Sequence, residues 1–130
     1  MNQVNETLRQ ALVTAQTSPQ KALDALDAGL EKARELGDSL AVSLLAKHAG
    51  VLATELGDLT RALRYYNESS TTNPKDAYVH FALGDVHRRL GQIDEARAAF
   101  KQSLKLATEQ ADHDMIQMAS DALSSGGPGT

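Results

Sequence analysis

Apolar residues in the middle of this chain recur at spacings of three and four. Leu44, Leu45, Ala49, Leu52, Ala53 and Leu56 form one stripe, and Leu59, Ala62, Leu63 and Tyr66 form a second after Gly57-Asp58. A period near 3.6 predicts two amphipathic helices. Gly57 can end the first by tolerating a left-handed backbone, and Asp58 can cap the second by accepting its free N–H groups. The pair therefore predicts a helical hairpin. The same pattern is then written again: Ala49-Gly50 recurs as Leu83-Gly84, Leu56-Gly57 as Leu90-Gly91, Ala62 as Ala96, Tyr66 as Phe100 and Ser69 as Ser103, each 34 residues apart. A fixed period of this length marks a repeat architecture rather than a single globular core. Gly50 and Gly84 fall in mid-helix, where Gly costs about 1 kcal/mol against Ala. That cost predicts a close approach of the two helices, with Tyr66 or Phe100 filling the space beside the glycine.

Outside this duplicated core the pattern is looser. Val4, Leu8, Ala11, Leu12 and Ala15 predict a first helix, ended by Thr17-Ser18-Pro19. Ser18 suits an N-cap and Pro19 the first turn of a second helix, where its missing N–H costs nothing. That helix runs through Ala22, Leu23, Leu26, Leu30 and Ala33 to Leu36, is expected to be longer than its counterparts, and stops at Gly37-Asp38. With no proline after Phe100, the helix that carries it is expected to run to Gln110. Met115, Met118, Ala119 and Ala122 then predict a seventh helix without a partner. Ser124 to Thr130 holds no apolar residue and reads as a disordered tail or linker.

The run Leu83-Gly84, Gly91, Ala96 and Phe100, with Asn73-Pro74 closing the preceding unit, resembles the tetratricopeptide repeat (TPR). The likeness is strongest over residues 43–110. It departs at His80, where the family often has Trp, and at Ser69 and Ser103, where it often has Ala. The resemblance implies an all-α fold: an α-solenoid of three TPR hairpins plus a C-terminal capping helix, wound as a right-handed superhelix. Residues 1–125 would form a single domain, with a divergent repeat 1 at about 4–37, repeat 2 at 43–76, repeat 3 at 77–110, the cap at about 112–124 and a disordered tail at 126–130. The second helix's phrase Ser-Pro-Gln-Lys-Ala-Leu, followed by Ala-Arg-Glu-Leu-Gly-Asp, also resembles the opening TPR units found ahead of signalling domains in bacterial sensor and regulator proteins.

In that family the first helix of each hairpin lines a concave groove. Carried over residue by residue, the groove positions are Leu44, Lys47, Val51 and Thr54 in repeat 2 and Tyr78, Phe81, Asp85 and Arg88 in repeat 3, with Arg9 and Val13 in repeat 1. Apolar groups flanked by charges suit a peptide or a partner's helix. Tyr78 and Phe81 have a second reading, as core residues. The clamp by which some family members grip the acidic tails of heat-shock chaperones is mostly missing, since Arg9, Val13, His48, Tyr78 and Ala82 stand at the matching places. On the seventh helix Met115, Ile116, Met118 and Leu123 either cap the stack or stay exposed and bind another copy.

Composition narrows the function classes. A hydrophobic share of 42% with 4% aromatic suits stacked helices. There is no Cys, which excludes disulfides and thiol chemistry. No apolar run reaches the ~20 residues of a membrane span and no signal-peptide core is present, so the expectation is a cytoplasmic protein without membrane insertion. The net charge of −4 argues against nucleic acid as a partner. Charge is unevenly spread, with a basic segment at 61–105 between acidic ends. That spread is read either as a solvated outer face or as a basis for head-to-tail association of copies. His80 and His87 lie seven apart rather than four, so no metal or other cofactor is expected. No nucleophile elbow or phosphate-binding loop occurs, so no catalytic residue is expected. The expected function is a non-catalytic protein-protein interaction scaffold that binds a peptide or partner helix. The alternatives are a self-assembling module that stacks through its terminal helix as a homo-oligomer, and the regulatory input segment of a larger signalling protein.

Overall fold

Four of the helix junctions are built from one local device. In the computed structural model, which describes residues 2–125, Gly37, Gly57 and Gly91 have φ of +65°, +80° and +78°, and Ala111 takes the same conformation at +56°. At each turn the positive-φ residue donates its N–H to the carbonyl three residues back, and the next residue donates to the carbonyl five back. For Gly57 and Asp58 these bonds reach Thr54 at 3.0 Å and Ala53 at 2.9 Å. This pair of bonds satisfies carbonyls that a helix end leaves without partners. The residue that closes the turn then opens the next helix: the carboxylates of Asp38, Asp58 and Asp112 accept the N–H groups of Ala41, Arg61 and Met115, each at 3.1 Å. Gln92 holds the same place without a side-chain cap. Ser18 caps the second helix ahead of Pro19, as the sequence predicts.

The resulting elements are α1 (Asn2–Ala15), α2 (Pro19–Glu35), α3 (Ser39–Glu55), α4 (Leu59–Thr72), α5 (Ala77–Arg89), α6 (Ile93–Glu109) and α7 (His113–Ser125). No strand occurs among the described residues. Helix α2 has 17 residues against 14 in α4, but α6 also has 17, because no proline stops it after Phe100. Residues 126–130, expected to form a disordered tail, lie outside the described residues. The chain divides at Pro74 and Lys75 into two compact units.

In the first unit Leu23, Leu26, Leu30 and Leu45 are almost wholly enclosed. Helices α3 and α4 meet where Gly50 lies under Tyr66; a methyl group on Gly50 would stand 2.6 Å from the ring. Ser69 donates from α4 to the Ser43 carbonyl at 2.8 Å. Two polar ties join α2 to α4. Asp27 accepts from both Arg61 and Tyr65, and Arg34 makes two 2.7 Å bonds to Glu68. Burial, then the bond to Asp27 and its charge, pushes the Tyr65 phenol up to about 12.

The second unit repeats the contacts one period later. Gly84 lies under Phe100 with the same 2.6 Å clearance for an added methyl, and Ser103 donates to the Ala77 carbonyl at 2.8 Å. Helix α7 then seats Met115 among Ala77, Leu106 and Ala107, and Ala122 beside Ala96 and Phe100.

Ala111 is the one residue besides glycine among those described to hold a positive φ. A left-handed backbone costs an L-residue roughly 1–2 kcal/mol, offset in part by the greater freedom glycine has when unfolded. Ala111→Gly is therefore expected to raise stability by up to about 1 kcal/mol, read as a higher urea midpoint at constant slope.

Candidate functional site

The eight groove positions expected from the sequence share one property: Leu44, Lys47, Val51, Thr54, Tyr78, Phe81, Asp85 and Arg88 are all half-buried. Their helices are held by the turns and caps above, which leaves one face of each first helix incompletely covered. The two units arrange these faces differently.

In the first unit α1 and α3 border a cleft of about 130 Å³. Leu8, Leu12 and Ala15 come from α1, Leu26 forms part of the lining from α2, and His48, Val51, Leu52 and Glu55 come from α3. Of the repeat 2 positions, Val51 lines this cleft. Leu44, Lys47 and Thr54 do not, and the Thr54 hydroxyl donates to the Gly50 carbonyl at 2.8 Å. On α1 the lining residues are not Arg9 and Val13. Arg9 pairs with Glu6 on the exposed side, and Val13 is 64% exposed beside the cleft rather than in it. Leu8, Leu12 and Ala15 stand four and three apart, a stripe that the sequence displays openly.

A larger depression of about 440 Å³ is lined by Gln3, Thr7 and Gln10, a different side of α1, and by Ala25, Ala28 and Gly29 of α2. Val4, Ala33, Leu36, Ala41 and Leu45 complete its walls together with the charged Lys32 and Asp38, so its lining mixes apolar, amide and charged groups. The smaller cleft is lined by apolar side chains apart from His48 and Glu55.

His48 sits half-buried in the wall of the smaller cleft. Burial, aided by the neighbouring Lys47 charge, lowers its pKa below the ordinary histidine value. A base whose folded pKa is depressed supports folding while it is neutral. That support is complete above the unfolded value of about 6.5 and is lost as pH falls toward the folded value. Urea stability is thus expected to decline as pH falls below about 6.5, and His48→Gln to flatten that part of the profile.

In the second unit the expected groove residues are bound into the hairpin. Tyr78 and Phe81 pack against the Ala77, Leu106, Ala107 and Met115 cluster, and the Phe81 and Phe100 rings lie 5.4 Å apart at 53°. Asp85 accepts from Arg88 at 2.7 Å and pairs with Arg89 at 3.1 Å, while the Arg88 guanidinium stands over Phe100 at 5.6 Å. The two readings of Tyr78 and Phe81 therefore merge: each is partly core of its own hairpin and partly exposed. Met115 is buried, Ile116 and Leu123 pack against the clusters, and Met118 is 44% exposed.

No group of three or more His, Asp or Glu side chains among the described residues could hold a metal ion. No helix among them is long and apolar enough to cross a membrane.

Comparison with known proteins places this geometry in a class. The tetratricopeptide repeat family model matches residues 47–111, half of the chain, and the chain belongs to that family. The seven helices among the described residues give an all-helical repeat fold of the α-solenoid class. Cellulose synthase operon protein C of Pseudomonas fluorescens (strain SBW25) is 32% identical over 96 residues, which are 72% of this chain and 8% of that protein. Two crystal structures share the fold at low sequence identity. PcrH in complex with the chaperone binding region of PopD matches with a TM-score of 0.79 at 18% identity, covering 96% of this chain and 91% of that one. PcrH in complex with the chaperone binding region of PopB matches with a TM-score of 0.74 at 17% identity, covering 94% and 93%.

Proposed function

We propose that this protein is a non-catalytic interaction scaffold that receives a peptide or a partner's helix on the exposed faces of its first-position helices. The observation that carries the reading is the α1–α3 cleft, in which Leu8, Leu12 and Val51 stay accessible although Leu26 and Leu52 in the same lining are buried. A surface of that kind favours an apolar partner, and the nearby polar groups can fix its orientation. The fold neighbours support the reading, since PcrH is seen in complex with the chaperone binding regions of PopD and PopB. Self-assembly through α7 receives less support, because Met115, Ile116 and Leu123 are engaged in the second unit's own packing.

Leu12 and Val13 offer a matched pair for the test, since both are more than half exposed and Leu12 alone of the two lines the cleft. Peptides selected from a displayed random library should bind the native protein, lose binding to Leu12→Glu and keep it with Val13→Glu. No binding to the native protein would overturn the proposal, and equal binding to both variants would move the contact away from the cleft to another first-position helix.

A further inference from the structure

We propose that the α1–α3 cleft takes one aliphatic side chain of a partner segment, and that Glu55 selects a lysine or arginine close to that anchor in the same segment. The proposal rests on the scaffold reading and specifies the chemistry of what the scaffold binds.

Size sets the first half. An apolar protein cavity of ~150 Å³ accommodates a molecule of six carbons. The cleft here, at about 130 Å³, has the scale of one aliphatic side chain, and Leu8, Leu12, Val51 and Leu52 give it apolar walls. The smallness argues against a whole helix face seated in it.

Charge sets the second half. Glu55 is the last residue of α3 and lies at the cleft. It is exposed and engages no hydrogen bond or ion pair among the described residues. A helix C-terminus is the unfavourable end for a carboxylate, because the helix dipole places partial negative charge there even where turn bonds satisfy carbonyls, and α3 has no basic residue in its last turn to offset it. Carboxylate and carbonyl end together attract a cation. No side chain of α1 supplies one: the α1 residues that line the cleft are Leu8, Ala11, Leu12 and Ala15, and Arg9 is paired with Glu6. The remaining titratable group in the wall, His48, is neutral at pH 7 and can serve a partner's backbone as donor or acceptor.

A phage-displayed library of random 12-residue peptides, panned against the full chain at pH 7, tests this directly. Enriched peptides should carry a Leu, Ile, Val or Met with a Lys or Arg within a few positions. A synthetic copy of the strongest should shift the amide resonances of Leu8, Leu12, His48 and Val51. Glu55→Lys removes an unfavourable charge from the helix end, so the variant should fold, as its thermal melt will report. Its binding to the same peptide should fall about fivefold or more at low salt, and panning against it should enrich Asp or Glu beside the anchor. Peptides without an aliphatic anchor, or an unchanged preference for basic residues with Glu55→Lys, would overturn the proposal. Resonance shifts confined to Tyr78 and Phe81 would overturn it and leave the scaffold reading standing. No enrichment at all would overturn both.

Discussion

Gly84→Leu is expected to lower the stability of the second unit by at least 1–3 kcal/mol, the upper end being the closer. A β-carbon on Gly84 would stand 2.6 Å from two carbons of the Phe100 ring, and three more carbons must follow it. The ring cannot retreat easily, because Phe81 lies against it at 5.4 Å and Ala96 and Ala122 enclose it. The gain in helix propensity on replacing Gly, about 1 kcal/mol, offsets part of the damage. Pairing the change with Phe100→Ala makes the mechanism visible. The ring truncation alone should cost about 3–5 kcal/mol. Together the two should cost clearly less than their sum, with a coupling of about 1 kcal/mol or more. Strict additivity in a urea double-mutant cycle would mean that the glycine is not there to admit the ring.

Met115→Ala is expected to cost about 2–5 kcal/mol, a loss that should be felt in α5 and α6 as much as in α7. Met115 is 7% exposed and closes a cluster with Ala77 of α5 and Leu106 and Ala107 of α6. Removing its side chain leaves a gap that three helices share. Met118, on the same helix but 44% exposed, is the control, and Met118→Ser should stay within about 0.5 kcal/mol. Amide exchange should quicken across α5 and α6 in the first variant and stay native-like in the second. If both behave alike, α7 is an appendage rather than part of the unit.

The hairpins of the duplicated core were legible because two copies of one pattern constrain each other. Gly50 and Gly84 cost helix propensity at the same place in each copy, and the aromatic residue 16 positions later in each explains the cost. The first hairpin withheld its register for a related reason. Its small residue stands on the second helix instead of the first: Gly29 of α2 meets Thr7 and Leu45, with a methyl clearance of 3.0 Å to Thr7. Positions transferred from a pattern with glycine on the first helix therefore point to Arg9 and Val13, one residue beyond Leu8 and Leu12. Local spacing marks the stripe that lines the cleft, where analogy points to residues beside it. The charges hid a second signal. Taken by segments they suggest a solvated face or association between copies, yet Asp27 with Arg61 and Arg34 with Glu68 are opposite charges one repeat period apart, and both pairs close. The cleft itself was only half legible, since Val51 follows from the family pattern but Glu55 and His48 depend on how α1 leans against α3.

Those two ion pairs act as a ruler. Each is modest in strength, as partly exposed pairs are, but they sit seven residues apart on both α2 and α4, about 10 Å along each axis. Two fixed points prevent one helix from both sliding and rolling on the other. A single-residue insertion anywhere between Asp27 and Arg34 would break the match at one end while the other still holds. One slipped residue is thus penalised at once, because the register of α4 on α2 is read at two places rather than one.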